Sequence, residues 1–105
     1  MSWRLRRTQF AENDLQDIWA YIAEESPRSA NKVVHGIAEA FSGLANHPGR
    51  GRAIPEISPD HHLLVEGRYL LIYHLDEQHQ VVTLVRVVHG ARDWLVLFDD
   101  PGGAD

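Results

Sequence analysis

Two apolar stripes of helical period meet at Ser26-Pro27, and no other feature restricts the fold as tightly. In the first, Ala11, Leu15, Ile18 and Ile22 recur every three or four residues, with Trp19 beside them. In the second, Ala30, Val34, Ile37, Phe41 and Leu44 do the same. Such spacing gathers apolar side chains on one face of a helix. Thr8 is placed to cap the first helix, and Ser26 followed by Pro27 is a cap-and-restart signal for the second. Glu12, Asp14 and Asp17 fall in the first half of the first helix, where carboxylates meet the positive end of the helix dipole. With a link of about two residues, the helices must fold back as an antiparallel hairpin.

The hairpin is flanked by strand patterns. Trp3 to Arg7 alternates apolar and basic residues, as a half-buried strand does. Asn46 to Asp60 has three prolines, two glycines and no period, and reads as a loop. His62–Glu66, Arg68–Leu75 and Gln80–His89 follow as a three-strand meander, broken at Gly67 and at Asp76 to His79. The last strand is almost continuously apolar and β-branched, so it is expected to be central and covered on both faces. Trp94 to Phe98 is an apolar run too short to type. The expected fold is α+β: an N-terminal helical hairpin packed on a small, mostly antiparallel sheet. It forms one domain over residues 1–98, followed by a frayed acidic tail over 99–105.

Composition sets the outer limits. A chain of 105 residues builds one core. An apolar fraction of 44% and a charged fraction of 24% are those of a globular protein. There is no cysteine, which excludes disulfides and thiolate metal sites and suits a reducing compartment. No signal peptide and no bilayer-length apolar run is visible, so a cytoplasmic location is expected. The net charge of −5 is segregated. Residues 8–25 hold Glu12, Asp14, Asp17, Glu24 and Glu25 with no Lys or Arg, and the tail holds Asp99, Asp100 and Asp105. The remainder has seven acids against ten bases. The total nonetheless argues against binding dominated by nucleic-acid phosphates.

Four segments in this order carry a resemblance: LQDIWAYIAE (15–24), LANHPGRGR (44–52), EGRYLLIYHL (66–75) and LVRVVHGARD (84–93). Together they resemble the ParE branch of the RelE/ParE toxin superfamily, over roughly residues 3–94. The resemblance implies a β-α-α-β-β-β fold. It implies the toxin half of a type II toxin–antitoxin pair, wrapped by the C-terminal segment of a ParD-like or similar antitoxin. ParE-like toxins poison DNA gyrase, whereas RelE-like relatives cut mRNA in the ribosome.

RNA cleavage needs a general base near the 2′-hydroxyl, cations for the phosphorane charge and a proton donor for the leaving oxygen. RelE-like toxins place an Arg on the second meander strand, an Arg just after the last strand, and often a Tyr or His near the C-terminus. The matching positions here are Leu70, Arg92 and Phe98, so two of the three roles look empty. Arg68 is a replacement cation and His89 a replacement base in the nuclease alternative. His89 reads equally as a strand-end residue bonded to the Gly90 turn, and Arg92 as the partner of Asp93 or of a helix carboxylate. In the gyrase reading no catalytic residue is expected, and direct nucleic-acid contact belongs to the nuclease alternative alone. A third reading is a non-toxic member that only binds its antitoxin.

Partner-binding candidates are Arg50, Arg52, Arg86 and Trp94. Arg50 and Arg52 sit in a Gly-rich loop that permits close approach. Arg86 is a lone cation in an apolar strand; it either pairs with a carboxylate of the acidic first helix or anchors a partner. Trp94 is either core or an exposed anchor, whereas Trp19, Phe41 and Tyr73 are expected in the core. No cofactor is expected. No metal site is expected either, because adjacent His61 and His62 point to opposite faces of a strand.

Overall fold

The computed structural model describes residues 2–98, so the tail expected at 99–105 lies outside the described residues. Strand β1 (Arg4–Arg7) leads into helix α1 (Gln9–Ala23) and helix α2 (Pro27–Gly43). Strands β2 (Arg52–Ala53), β3 (His61–Glu66), β4 (Tyr69–Asp76) and β5 (Val81–His89) follow, and Trp94–Phe98 forms a short 3-10 helix. Both caps form as the sequence implies. Thr8 Oγ1 accepts from the Ala11 N–H at 3.0 Å, and Ser26 Oγ accepts from the Ser29 N–H at 3.1 Å.

The sheet order is β1-β5-β4-β3-β2. Among the described residues only β1 pairs in parallel, with β5; the other pairs are antiparallel. The expected meander is therefore part of a five-stranded sheet. Two details differ from the sequence reading. The loop before the meander contains β2, two residues held against Leu63 and His62. The middle strand is β4, and β5 is interior as well, because β1 returns to pair along its outer edge. Periodicity alone does not reveal that pairing, since a buried strand looks the same in either position.

The two sheet faces bury separate clusters. Toward the helices lie Ala11, Leu15, Ile37, Phe41 and Leu44, packed on Leu71, Tyr73, Leu75, Val82, Leu84 and Val87. On the other face Ile54, Leu63, Ile72 and Val88 are covered by Ile57, Leu70, Trp94, Leu97 and Phe98. Thus β5 does bury side chains on both faces. A bulge makes this possible: Ile72 pairs with Arg86 but Tyr73 pairs with Leu84, so Val85 is an extra residue. The extra residue shifts the alternation, and Val87 joins Val82 and Leu84 on the helix side. Backbone groups freed there are met by α1 and its cap. Thr8 Oγ1 donates to the Val85 carbonyl at 2.7 Å, and the Val87 N–H donates to Asp14 Oδ2 at 2.9 Å.

Phe41 and Tyr73 are in the core as expected, 4% and 0% exposed. Trp19 is not. It is 39% exposed, and its Nε1 donates to Asn31 Oδ1 at 2.7 Å. It sits one position off the Leu15–Ile18–Ile22 stripe, and its polar edge is satisfied by the partner helix.

Candidate functional site

The two positions that the resemblance marks as emptied, Leu70 and Phe98, fall on one face of the sheet. Leu70 lies on β4 between Val65 of β3 and Val88 of β5. It packs against the cluster of Ile54, Leu63, Ile72 and Val88 on the face away from the helices, and so do Trp94, Leu97 and Phe98. The Phe98 ring also meets His61 edge-on, with centroids 6.4 Å apart. This cluster is apolar. A carboxylate or guanidinium placed in it would lose hydration without gaining a partner.

Arg68, His89 and Arg92 are on the other side. Tyr69 and His89 pair across β4 and β5, and their rings meet edge-on at 5.5 Å. Tyr69 packs against the helix-side core. A groove of about 820 Å³ runs between the helical hairpin and the β3–β4 turn, floored by Ile22, Val33, Ile37 and Tyr69. Lys32, Glu66, Arg68 and His89 line it as well. His89 and Arg92 line an adjoining hollow with Asp14, Asp17 and Tyr21. The three alternative residues are thus split, Arg68 on the groove and Arg92 on the adjoining hollow, with His89 common to both. They cannot act at Leu70 and Phe98, because the sheet lies between.

The histidine is further constrained. The Ala91 N–H donates to His89 Nδ1 at 3.1 Å, and the Gly90 N–H donates to the Arg68 carbonyl at 2.8 Å. A backbone N–H can only donate, so neutral His89 carries its proton on Nε2. Its outward nitrogen is then a donor, not a base. Arg92 makes no ion pair, with Asp93 or a helix carboxylate, among the described residues.

The four partner-binding candidates do not converge. Arg86 is committed to α1: its Nε and Nη2 donate to Asp14 Oδ2 and Oδ1 at 2.8 and 2.9 Å. The same guanidinium lies 5.7 Å above the Phe10 ring centroid. Hydrogen bonding to Asp14 holds the Arg86 pKa above its ordinary value. Trp94 packs into the apolar cluster. Arg52 is exposed on β2. Arg50 lies over α2, where a methyl group on Gly43 would come within 2.8 Å of its guanidinium. The loop around it is pinned by Tyr73, whose hydroxyl donates to the Pro48 carbonyl and accepts from the Gly51 N–H, each at 2.9 Å. Burial pushes the Tyr73 pKa up.

His61 and His62 diverge. The His61 ring meets His74 edge-on at 5.1 Å, whereas His62 stacks on Tyr73. Burial, and then the neighbouring His74, push the His61 pKa down. Among the described residues no group of three His, Cys, Asp or Glu side chains is arranged to hold a metal ion. No helix among them is long and apolar enough to cross a membrane.

The groove residues missed by sequence reasoning are Tyr21 and Tyr69. Tyr21 is 77% exposed on α1 and borders both depressions. The available signal was an aromatic residue one position off the core stripe of an otherwise acidic helix.

Comparison with known proteins agrees with this fold. Residues 5–94 match the family model described as the ParE toxin of the type II toxin–antitoxin system parDE. The curated protein Putative toxin Y4kP of Sinorhizobium fredii is 31% identical over 91 residues, covering 87% of this chain and 92% of that protein. Among solved structures, the chromosomal ParDE system of P. aeruginosa superposes with a TM-score of 0.69 at 21% identity, over 84% of this chain and 96% of that one. The RelBE2 toxin–antitoxin complex of Mycobacterium tuberculosis gives 0.63 at 28% identity, over 85% and 99%. An arginine-to-alanine double mutant of E. coli RelE in the free state gives 0.69 at 14% identity, over 93% and 94%, a likeness of fold alone. The chain belongs to the ParE toxin family of type II toxin–antitoxin systems.

Proposed function

We propose that this toxin acts on DNA gyrase by binding it, without catalysis of its own, and that a cognate antitoxin neutralises it. The observation that carries the reading is that Leu70 and Phe98, at positions where RelE-like toxins keep reactive groups, both pack against one apolar cluster. The antitoxin occupies the groove between the hairpin and the β3–β4 turn. Ile22, Val33, Ile37 and Tyr69 offer an apolar floor there, with Lys32 and Arg68 for acidic flanks. The test uses purified toxin, gyrase, ATP and relaxed plasmid. Supercoiling is expected to fall and gyrase-linked broken DNA to accumulate, and added antitoxin reverses both. Unchanged supercoiling and unchanged breakage overturn the reading.

The competing reading is ribosome-dependent mRNA cleavage. One observation favours it: His89 borders both the groove that Arg68 lines and the hollow that Arg92 lines. The tautomer set by the Ala91 bond weighs against it, because His89 then offers a donor where attack by a 2′-hydroxyl needs a base.

A further inference from the structure

The apolar cluster covers only part of the sheet face away from the helices. The rest is an open hollow of about 560 Å³, where the polar side chains of Arg4, Arg6, His74, Asp76, His79 and Thr83 stand beside the apolar Leu5 and Val81. The strand register builds it. Arg6 pairs with Thr83, and Thr83 pairs with His74, so the three form one row across β1, β5 and β4. At the usual strand spacing, Arg6 and His74 are about 10 Å apart across the row, and Arg4 lies about 7 Å along β1 from Arg6. Arg4 and Arg6 are exposed, and neither makes an ion pair among the described residues. Among the described residues the one carboxylate lining the hollow, Asp76, has its Oδ2 held 2.9 Å from His79 Nδ1. Glu12, Asp14 and Asp17, three of the fifteen acids, belong to α1 on the opposite side of the sheet.

We infer that this open half-face docks the phosphate backbone of duplex DNA. Two unpaired guanidiniums at the spacing of successive outward strand residues, with a hydroxyl and an imidazole beside them, suit phosphate oxygens. Among the described residues the hollow has no Phe, Tyr or Trp in its lining. Single-stranded nucleic acid wants aromatic platforms on which its bases stack, and a protein partner wants an apolar centre. Duplex DNA asks for neither. A span of about 10 Å from Arg6 to His74 also lies within the range of groove widths, roughly 6–12 Å, that separate facing phosphates. The inference does not rest on the gyrase reading, since the assay below contains no gyrase.

The test is fluorescence anisotropy of a labelled duplex titrated with the full chain at two salt concentrations. Two neutralised phosphates predict an affinity about 12-fold weaker at 200 mM than at 50 mM salt. Arg4→Gln/Arg6→Gln is expected to weaken binding at least roughly tenfold at low salt, with the circular dichroism spectrum unchanged. Arg4→Lys/Arg6→Lys keeps the charge and most of the binding. Arg28→Gln, an exposed cation on α2, leaves binding unchanged. Equal losses in the Arg28 and the Arg4/Arg6 variants overturn the inference. So does tighter binding to single-stranded RNA of the same length, or no duplex binding at low salt.

Discussion

Asp14→Ala should be among the most damaging substitutions in this chain, although Asp14 is neither apolar nor in the groove floor. Its carboxylate accepts three hydrogen bonds: two from the Arg86 fork and one from the Val87 N–H freed by the bulge. Alanine leaves a guanidinium with only 22% of its side chain exposed and no anion beside it. Removing one partner of a fully buried pair costs about 3–5 kcal/mol. Access to water lowers that here, and the Phe10 ring retains about 0.5–1 kcal/mol of attraction for the cation. Against this, the Val87 N–H is orphaned at about 1 kcal/mol or more. The net expectation is a loss of about 2–4 kcal/mol, or a Tm lower by at least roughly 8 °C for a domain of this size. The assay is urea unfolding followed by circular dichroism. Asp14→Ala/Arg86→Met should be milder than Asp14→Ala alone, because no charge is stranded. A loss below about 1 kcal/mol, or simple additivity in the double variant, would refute the argument that α1 is tied to the bulge through this carboxylate.

Three other perturbations follow from the same contacts. Tyr73→Phe strands the Pro48 carbonyl and the Gly51 N–H and should cost about 1–3 kcal/mol by urea unfolding; Gly51→Ala should be worse, since a methyl there would lie 2.5 Å from the Leu63 carbonyl oxygen. His61 has its pKa below the ordinary 6.5, faced by His74, Asp60 and His62 and bonded to Ser58. The unfolded chain therefore takes up the proton more readily, so stability is lost as pH falls through about 6.5 and is unaffected by this group well above it. The slope of stability against pH between roughly 7 and 5 should be shallower in His61→Gln, and an unchanged slope would contradict the assignment. Leu70→Arg restores the residue that RelE-like toxins carry, but buries its charge against the cluster of Ile54, Leu63, Ile72 and Val88. It should lower stability by about 2 kcal/mol or more and produce no mRNA cleavage, read by unfolding and by a ribosome-programmed cleavage assay.

The helical hairpin was legible because caps, Pro27 and two stripes all pointed the same way. Arg86 was legible too, since a cation in an apolar strand needs an acid and α1 is rich in them. What the sequence hid was set by long-range pairing. The outer position of β1 and the two residues of β2 depend on partners some 10 to 80 positions away. The Val85 bulge shows only as an apolar run that fails to alternate. Trp19 misled because size suggests burial, whereas Asn31 gave its indole a polar partner at the surface. The site was half legible. Leu70 and Phe98 marked the missing groups, but only the folded sheet puts them on one face and Arg68, His89 and Arg92 on the other.

That separation is most directly tested by mapping mRNA 5′ ends in cells expressing the toxin without antitoxin, beside the Arg68→Gln/His89→Gln/Arg92→Gln variant. The account predicts no codon-linked 5′ ends for either protein. Codon-linked cuts that appear with the unmodified toxin and vanish in the triple variant would contradict it, and would assign the chemistry to the groove and its adjoining hollow.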